Sequence, residues 1–467
     1  MSKGQGNYNS EHIDVLIARF ETSISENTAV FFDVDEYEDV INYYFDKNNF
    51  SKAGVAIEKG VEHFPFSVLF HLRKAQLFSA TERTTEALTI LDYAEKFEPN
   101  DPEIQMTRGG IYSQMKMPQK AIECYEKAME NEDMADEVAL YMAFEYENLS
   151  QFGDAIRCLK KALELSPDNE AAIYELAFCY ELSEKTEDSI RYYNSFIDKY
   201  PYSHNAWFNL GIAYNKLELY EKAIMAYDYA IAIKSDFGSA YFNKANSLAN
   251  MEKHAEAIAV YRETFNYEAP EAATYYYIGE CYEKMEDWES ALSNYNRAIK
   301  LDAELSEAWL GIGIVLDKQN RLLEGIHYVK KALELEKENA DYWHIFADLE
   351  QKMGFLEEAE NAYKKVIELD PTNPEGWLDY SSLAFEQENM IQAVEIIAEG
   401  IKNHPNNAQL NYRMSACLLN NGQKQDAMSY LQNALSINYE MHHELFDFFP
   451  QLKNNTVVVN IIESYKK

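Results

Sequence analysis

The sequence predicts an all-α protein, a solenoid of antiparallel helix pairs closed by short capping helices. Three observations carry this: small residues recur every 34 positions, most prolines share one phase of that recurrence, and chain-breaking residues are few. Only 17 Gly and 11 Pro interrupt 467 residues, which leaves little material for long loops or for a many-turned β protein. A chain of this length also exceeds one ordinary core, so an array or several domains must share it.

Residues 11–24 read as an N-terminal capping helix begun at Ser10, with Ile13, Leu16, Ile17 and Phe20 facing inward. Such a cap is needed because a terminal repeat otherwise exposes an apolar face. Residues 1–33 are thus a disordered start and this cap. The acidic FDVDEYED, residues 32–39, lacks the sixth-position glycine and late glutamate of a calcium loop. Asp35 with Glu38 reads instead as a helix N-cap and its reciprocal partner.

The array itself spans residues 34–441. Stepping by 34 from Ala223 meets Ala257, Ala291, Gly325, Ala359, Ala393 and Ala427 in one direction, and Ser189, Ala155, Ala121, Ala87 and Ala53 in the other. The same step from Gly211 meets small residues from Ala75 to Ser415 and fails only at Ile41. Small residues at two fixed points let paired helix backbones cross closely. That role offsets the cost of about 1 kcal/mol that Gly211 carries in helix propensity. Tyr193, Tyr227, Tyr261, Tyr295 and Tyr363 recur four positions after the second small site and fill the space around the crossing.

Pro65, Pro99, Pro167, Pro201, Pro371 and Pro405 share the phase at which each second helix should stop, and Pro102, Pro118, Pro270 and Pro374 are also expected between helices. Beyond the array, within residues 442–467, ELFDFFPQL and TVVVNIIESY read as short helices sealing the last repeat. Val457 to Ile462 also fit a docking or dimer helix.

In residues 204–237, Trp207, Leu210, Gly211, Tyr214, Ala223, Tyr227 and Ala230 stand at the spacing W-x2-L-G-x2-Y, then Ala, an aromatic residue and Ala. This resembles the tetratricopeptide repeat family. The resemblance implies a right-handed superhelical solenoid of twelve uninterrupted repeats, starting at Val34, Val68, Pro102, Asp136, Glu170, His204, Gly238, Ala272, Ser306, Ala340, Pro374 and Ala408. Departures are local: Phe196 and Val366 replace the small residue of Ala230, and Gln105 and Asn411 stand at the phase of Trp207.

A net charge of -37 excludes direct binding to nucleic acid or anionic membrane as the expected role, since both rest on Lys and Arg meeting phosphate. With no signal peptide and no run of about 18 apolar residues, the reading is a cytoplasmic protein. Five cysteines without a C-x-x-C pair follow the apolar phases of the helices and read as buried thiols. Gly311 and Gly313 follow the repeat phase and not a nucleotide loop. His443 and Glu444 begin an H-E-x-x-H, but Asp447 stands where the second histidine would be. No catalytic residue, metal site or cofactor is expected, so the chain reads as a non-enzyme.

Function is then expected from surface. The family's ligand face takes the second, fifth, ninth and twelfth positions of each first helix, which steps of three and four keep on one stripe. Through twelve repeats these 48 positions hold no Lys or Arg, where about four would be expected, and thirteen carboxylates. The lysines of the clamp for acidic chaperone C-termini are therefore absent. An aromatic ladder replaces them: Tyr174, Phe208, Phe242 and Tyr276, with Tyr141, Phe144 and Phe178 beside it. Asn209, Asn243 and Asn246 offer amides for a peptide backbone. Glu147, Glu181, Glu280 and Glu283 supply an acidic rim. The expectation is a protein-interaction scaffold or adaptor holding a basic or neutral extended segment; the alternative is a constitutive subunit using its convex face or C-terminal helix. Composition does not fix the oligomeric state.

Overall fold

The computed structural model describes residues 5–26, 28, 30–99 and 101–466. Among them are 27 α-helices, three short 3-10 segments and no strand. They form two compact units, Met1–Ser235 and Asp236–Lys467. In the first unit, the first helices of successive pairs begin at Val34, Val68, Pro102, Ala135, Glu170 and His204; in the second they begin at Gly238, Ala272, Ser306, Ala340, Pro374 and Ala408. The fourth starts one residue before Asp136, after a 3-10 turn over Glu132–Met134.

The pair His204–Lys216 and Tyr220–Ile233 shows what Gly211 is for. A Cβ there would lie 2.5 Å from Cε1 of Tyr227, whose side chain is fully buried. Gly279 stands in the same relation to Tyr295, at 2.7 Å. In these hairpins the glycine makes room for a ring. Where valine replaces tyrosine, at Val329, the backbones do approach: a Cβ on Gly325 would lie 3.1 Å from the carbonyl oxygen of Gly313.

Two further devices recur. Trp207, Trp309 and Trp343 each donate the indole N–H to the carbonyl six residues earlier, at 2.9, 2.9 and 2.8 Å, and so tie the incoming loop to the first helix. His71 bonds Pro65 O in the same way at 3.0 Å. The turn between paired helices is left-handed at one fixed position, from Asn48 (φ 53°) through Glu184, Glu218, Glu252 and Glu286 to Glu388 (φ 58°). In the turn at Glu218, Leu219 N donates to Tyr214 O at 3.0 Å, which satisfies a carbonyl at the helix end.

Four details correct the sequence reading. The first helix runs Gln5–Ser25 and not from Ser10; Leu16, Ile17 and Phe20 are buried against Tyr37, Val40 and Ile41, and Ile13 is partly buried beside them. The capping box is Asp33 with Glu36, at 2.9 and 3.1 Å, because the chain enters the helix two residues before Asp35. Pro102, Pro118 and Pro374 lie at the first position of a helix, where the missing N–H has no intrahelical duty. Finally, one more step of 34 from Ala408 reaches His442, where helix His442–Phe448 begins. Phe449 then occupies the phase of Gly211 and Pro450 follows, so a thirteenth hairpin cannot form. The remainder, Pro450–Asn454 and Thr456–Ser464, buries Leu452, Val458 and Ile462 on Leu431 and Leu435.

Candidate functional site

In the first unit, helix Glu170–Leu182 presents Tyr174 and Phe178 on one stripe, one turn apart. Tyr174 is 68% exposed and Phe178 is 42% exposed, so these rings are not committed to the core. On helix Ala135–Asn148, Tyr141 and Phe144 lie 6.4 Å apart between ring centroids. The carboxylates nearby differ in state. Glu181 is exposed. Glu147 accepts a bond from Cys179 Sγ at 3.2 Å, and burial pushes its carboxyl up, with the charge of Glu175 adding to the rise. Burial also raises Glu175.

Phe208 is half-buried, its ring 5.9 Å from that of Tyr227. Asn209 is 7% exposed, and its Nδ2 reaches Ile173 O at 3.4 Å, beside the hydroxyl of Tyr193, which donates to the same carbonyl at 3.1 Å. Its expected place on the ligand face is therefore corrected: it ties one first helix to the next inside the core.

In the second unit the corresponding groups also serve packing. The Phe242 ring lies 5.6 Å from Tyr261 and 5.5 Å from Tyr277. Tyr276 packs 5.8 Å from Tyr295. Asn243 donates its amide to Ser239 O at 2.9 Å, and Asn246 Oδ1 accepts from the Tyr261 hydroxyl. Glu283 accepts from the Tyr295 hydroxyl at 2.7 Å, and burial raises the Glu280 carboxyl. The side chains are partly exposed, but tyrosines hold Phe242, Tyr276, Asn246 and Glu283 in place from beneath.

The face is also less negative than its four positions suggest. Arg73 pairs with Glu38 at 2.6 Å, Lys352 with Asp317 at 2.6 Å, and His344 lies 4.0 Å from Asp348. Arg73 and Lys352 come from phases not counted above; His344 stands at a fifth position and adds positive charge only when protonated. Glu175 and Tyr277, both at sixth positions, were likewise outside the count; only the 3.6-residue periodicity of the helix, which places them beside that stripe, signals them.

Among the described residues, no group of three or more His, Cys, Asp or Glu is placed to hold a metal ion. All five cysteines are buried free thiols. Burial raises all five thiols, on first and second helices alike, and a raised thiol is a poor nucleophile. No described helix is long and apolar enough to cross a membrane.

Models of the tetratricopeptide repeat match residues 102–132, 142–204, 183–238, 238–266, 272–304 and 351–410, together more than half of the chain. The chain belongs to the tetratricopeptide repeat family. A search of the curated proteins returns no match. Among solved structures, the APC/C hetero-tetramer Cut9-Hcn1 is 14% identical, with 86% of this chain and 98% of that chain covered and a TM-score of 0.43. Yeast Tom70 is 15% identical over 86% of this chain and 99% of that one, TM-score 0.43. YrrB, described as a TPR protein with an unusual peptide-binding site, is 21% identical over 38% of this chain and 92% of that one, TM-score 0.32.

Proposed function

We propose that this protein is a non-catalytic, cytoplasmic scaffold or adaptor that holds a basic or neutral extended segment of another protein on its first-helix face. The observation that carries this reading is the pairing of exposed aromatic rings with carboxylates on a stripe whose second, fifth, ninth and twelfth positions hold no lysine or arginine. Tyr174 and Phe178 stand open beside Glu181, with Glu147 and Glu175 behind them. A lysine or arginine side chain stacks on such rings while its charge meets the carboxylates. Charge would improve the encounter rate more than the affinity, and a few rings would supply most of the binding free energy.

Within this reading the contact set centres on Tyr174, Phe178 and Glu181. In the first unit Phe208 adds a ring edge; the second unit, taken by itself, offers the ring edges of Phe242 and Tyr276 and what the internal bonds of Asn243 and Asn246 leave.

The experiment is capture of partners from native lysate by the wild type and by Tyr174→Ala/Phe178→Ala, each washed at low and high salt, followed by affinity measurement with the captured protein. These rings are exposed, so helix content should be unchanged while affinity falls at least about tenfold, the scale of one lost anchor residue. Equal, salt-resistant recovery of one stoichiometric partner by both proteins would refute the reading and favour a constitutive subunit.

A further inference from the structure

Helix Ala340–Met353 carries His344 at a fifth position, where the first unit has Tyr174 and Phe208. Its Nε2 lies 2.8 Å from Asp379 Oδ2, on the next first helix, Pro374–Glu386, and 4.0 Å from Asp348 Oδ1 on its own. The imidazole is 17% exposed, whereas the two carboxylates are about half-exposed, at 48% and 45%. Other neighbours fix the setting. From the paired helix Leu356–Leu369, Tyr363 places its ring 6.0 Å from the imidazole and donates to Asp348 Oδ1 at 2.6 Å. Glu375 adds negative charge from Pro374–Glu386. Two cations also act on these carboxylates from the side: Lys352, which holds Asp317 of helix Ser306–Lys318, on Asp348, and Arg413 of helix Ala408–Asn420, which lies over the Phe448 ring at 3.6 Å and bonds Ser382, on Asp379.

We propose that His344 is a proton-operated latch between two successive first helices of the second unit, closed when the imidazole is protonated between Asp379 and Asp348 and loosened when it is neutral. The geometry supplies two carboxylates for one ring and a sequence separation of 35 residues between the helices it joins. A protonated ring neutralises one of three carboxylates and makes a charge-assisted bond across the repeat boundary. A neutral ring keeps one N–H but leaves the repulsion among Asp348, Asp379 and Glu375 offset only by the more distant charges of Lys352 and Arg413.

The hydrogen bond to Asp379 raises the imidazole above its ordinary range, burial opposes the rise, and the charges of Asp348, Asp379 and Glu375 support it. A group raised on folding stabilises the fold fully below its unfolded value of about 6.5 and loses that contribution as pH rises through the folded value. The latch therefore works in the range just above that value, where histidine is the usual sensor.

The test uses the full chain with ¹³C-labelled histidine, its ring signals followed by NMR against pH, with His344→Gln for assignment. The His344 midpoint should lie above about 6.5, and Asp379→Asn should lower it by about one unit, the effect of removing an opposite charge in contact. Hydrogen exchange of residues 374–386, corrected for intrinsic rate, should show protection over His344→Gln at about pH 6 that disappears by about pH 9. A midpoint at or below 6.5, a midpoint unmoved in Asp379→Asn, or protection independent of pH would each overturn the proposal.

Discussion

Gly211→Ala isolates the device on which the helix pairs depend. The substitution gives helix His204–Lys216 a better former, worth about 1 kcal/mol. It also places a methyl 2.5, 2.7 and 2.9 Å from three carbons of the Tyr227 ring. Apolar carbons prefer roughly 3.5–4.0 Å, so the ring or the helices must move apart by about 1 Å. The ring is fully buried and has nowhere to rotate, so overpacking of about 1–3 kcal/mol applies and should outweigh the propensity gain. The expected net loss is about 1 kcal/mol. Local hydrogen exchange over residues 204–233 is the suitable assay, because a repeat array need not unfold as one unit. The reverse exchange provides the control: Ala245 and Tyr261, at the same two phases, are both buried, so Ala245→Gly removes packing and propensity together. Both exchanges should lower protection. A gain of protection in Gly211→Ala would show that the pair separates freely and that the ring does not set its spacing.

The left-handed turn yields a test of opposite sign: Glu218→Gly relieves a φ of 57° and should stabilise by roughly 0.5–1 kcal/mol, read by urea unfolding, as Gly354 and Gly422 already hold this conformation. Loss of stability would mean that the Glu218 side chain contributes more than its backbone costs. Tyr227→Phe and Tyr193→Phe should diverge. The buried Tyr227 hydroxyl has no partner among the described residues, so its removal should be neutral or stabilising by up to about 1 kcal/mol. Tyr193 donates to Ile173 O at 3.1 Å, and its removal should cost about 1 kcal/mol. Equal losses in thermal scans would refute the distinction.

The helix pairs were legible because their requirement is strictly periodic. A large apolar side chain at the phase of Tyr227 needs a small residue opposite it, so Gly211, Ala245 and Gly279 appear in register whatever surrounds them. What the register could not show is why they are small: crossing backbones and an inserted side chain place the same demand on the sequence, Gly325 facing the backbone of Gly313 and Gly211 facing the ring of Tyr227. The ends were less legible because they break the period. Pro450 and Phe449 stop a thirteenth hairpin after one short helix, and a residue-by-residue reading of ELFDFFPQL as a cap hides that its helix still begins on the 34-residue step.

The candidate site was half legible for a related reason. Position along a helix decides which face a side chain takes, but whether it remains available depends on partners from other phases. Asn209 and Asn243 share one phase, yet Asn209 is buried against Ile173 O while Asn243 turns back to its own helix at Ser239 O. Glu38 and Asp317 are counted as ligand-facing carboxylates, yet Arg73 and Lys352 reach them from a neighbouring first helix. Such pairs consume charge without changing composition, so a sum over fixed positions overstates the field a ligand meets. Tyr174 and Phe178 escape this correction because their rings stay open in the folded structure whatever their phase. They, and not the longest ladder readable in the sequence, are therefore where a binding variant should first be made.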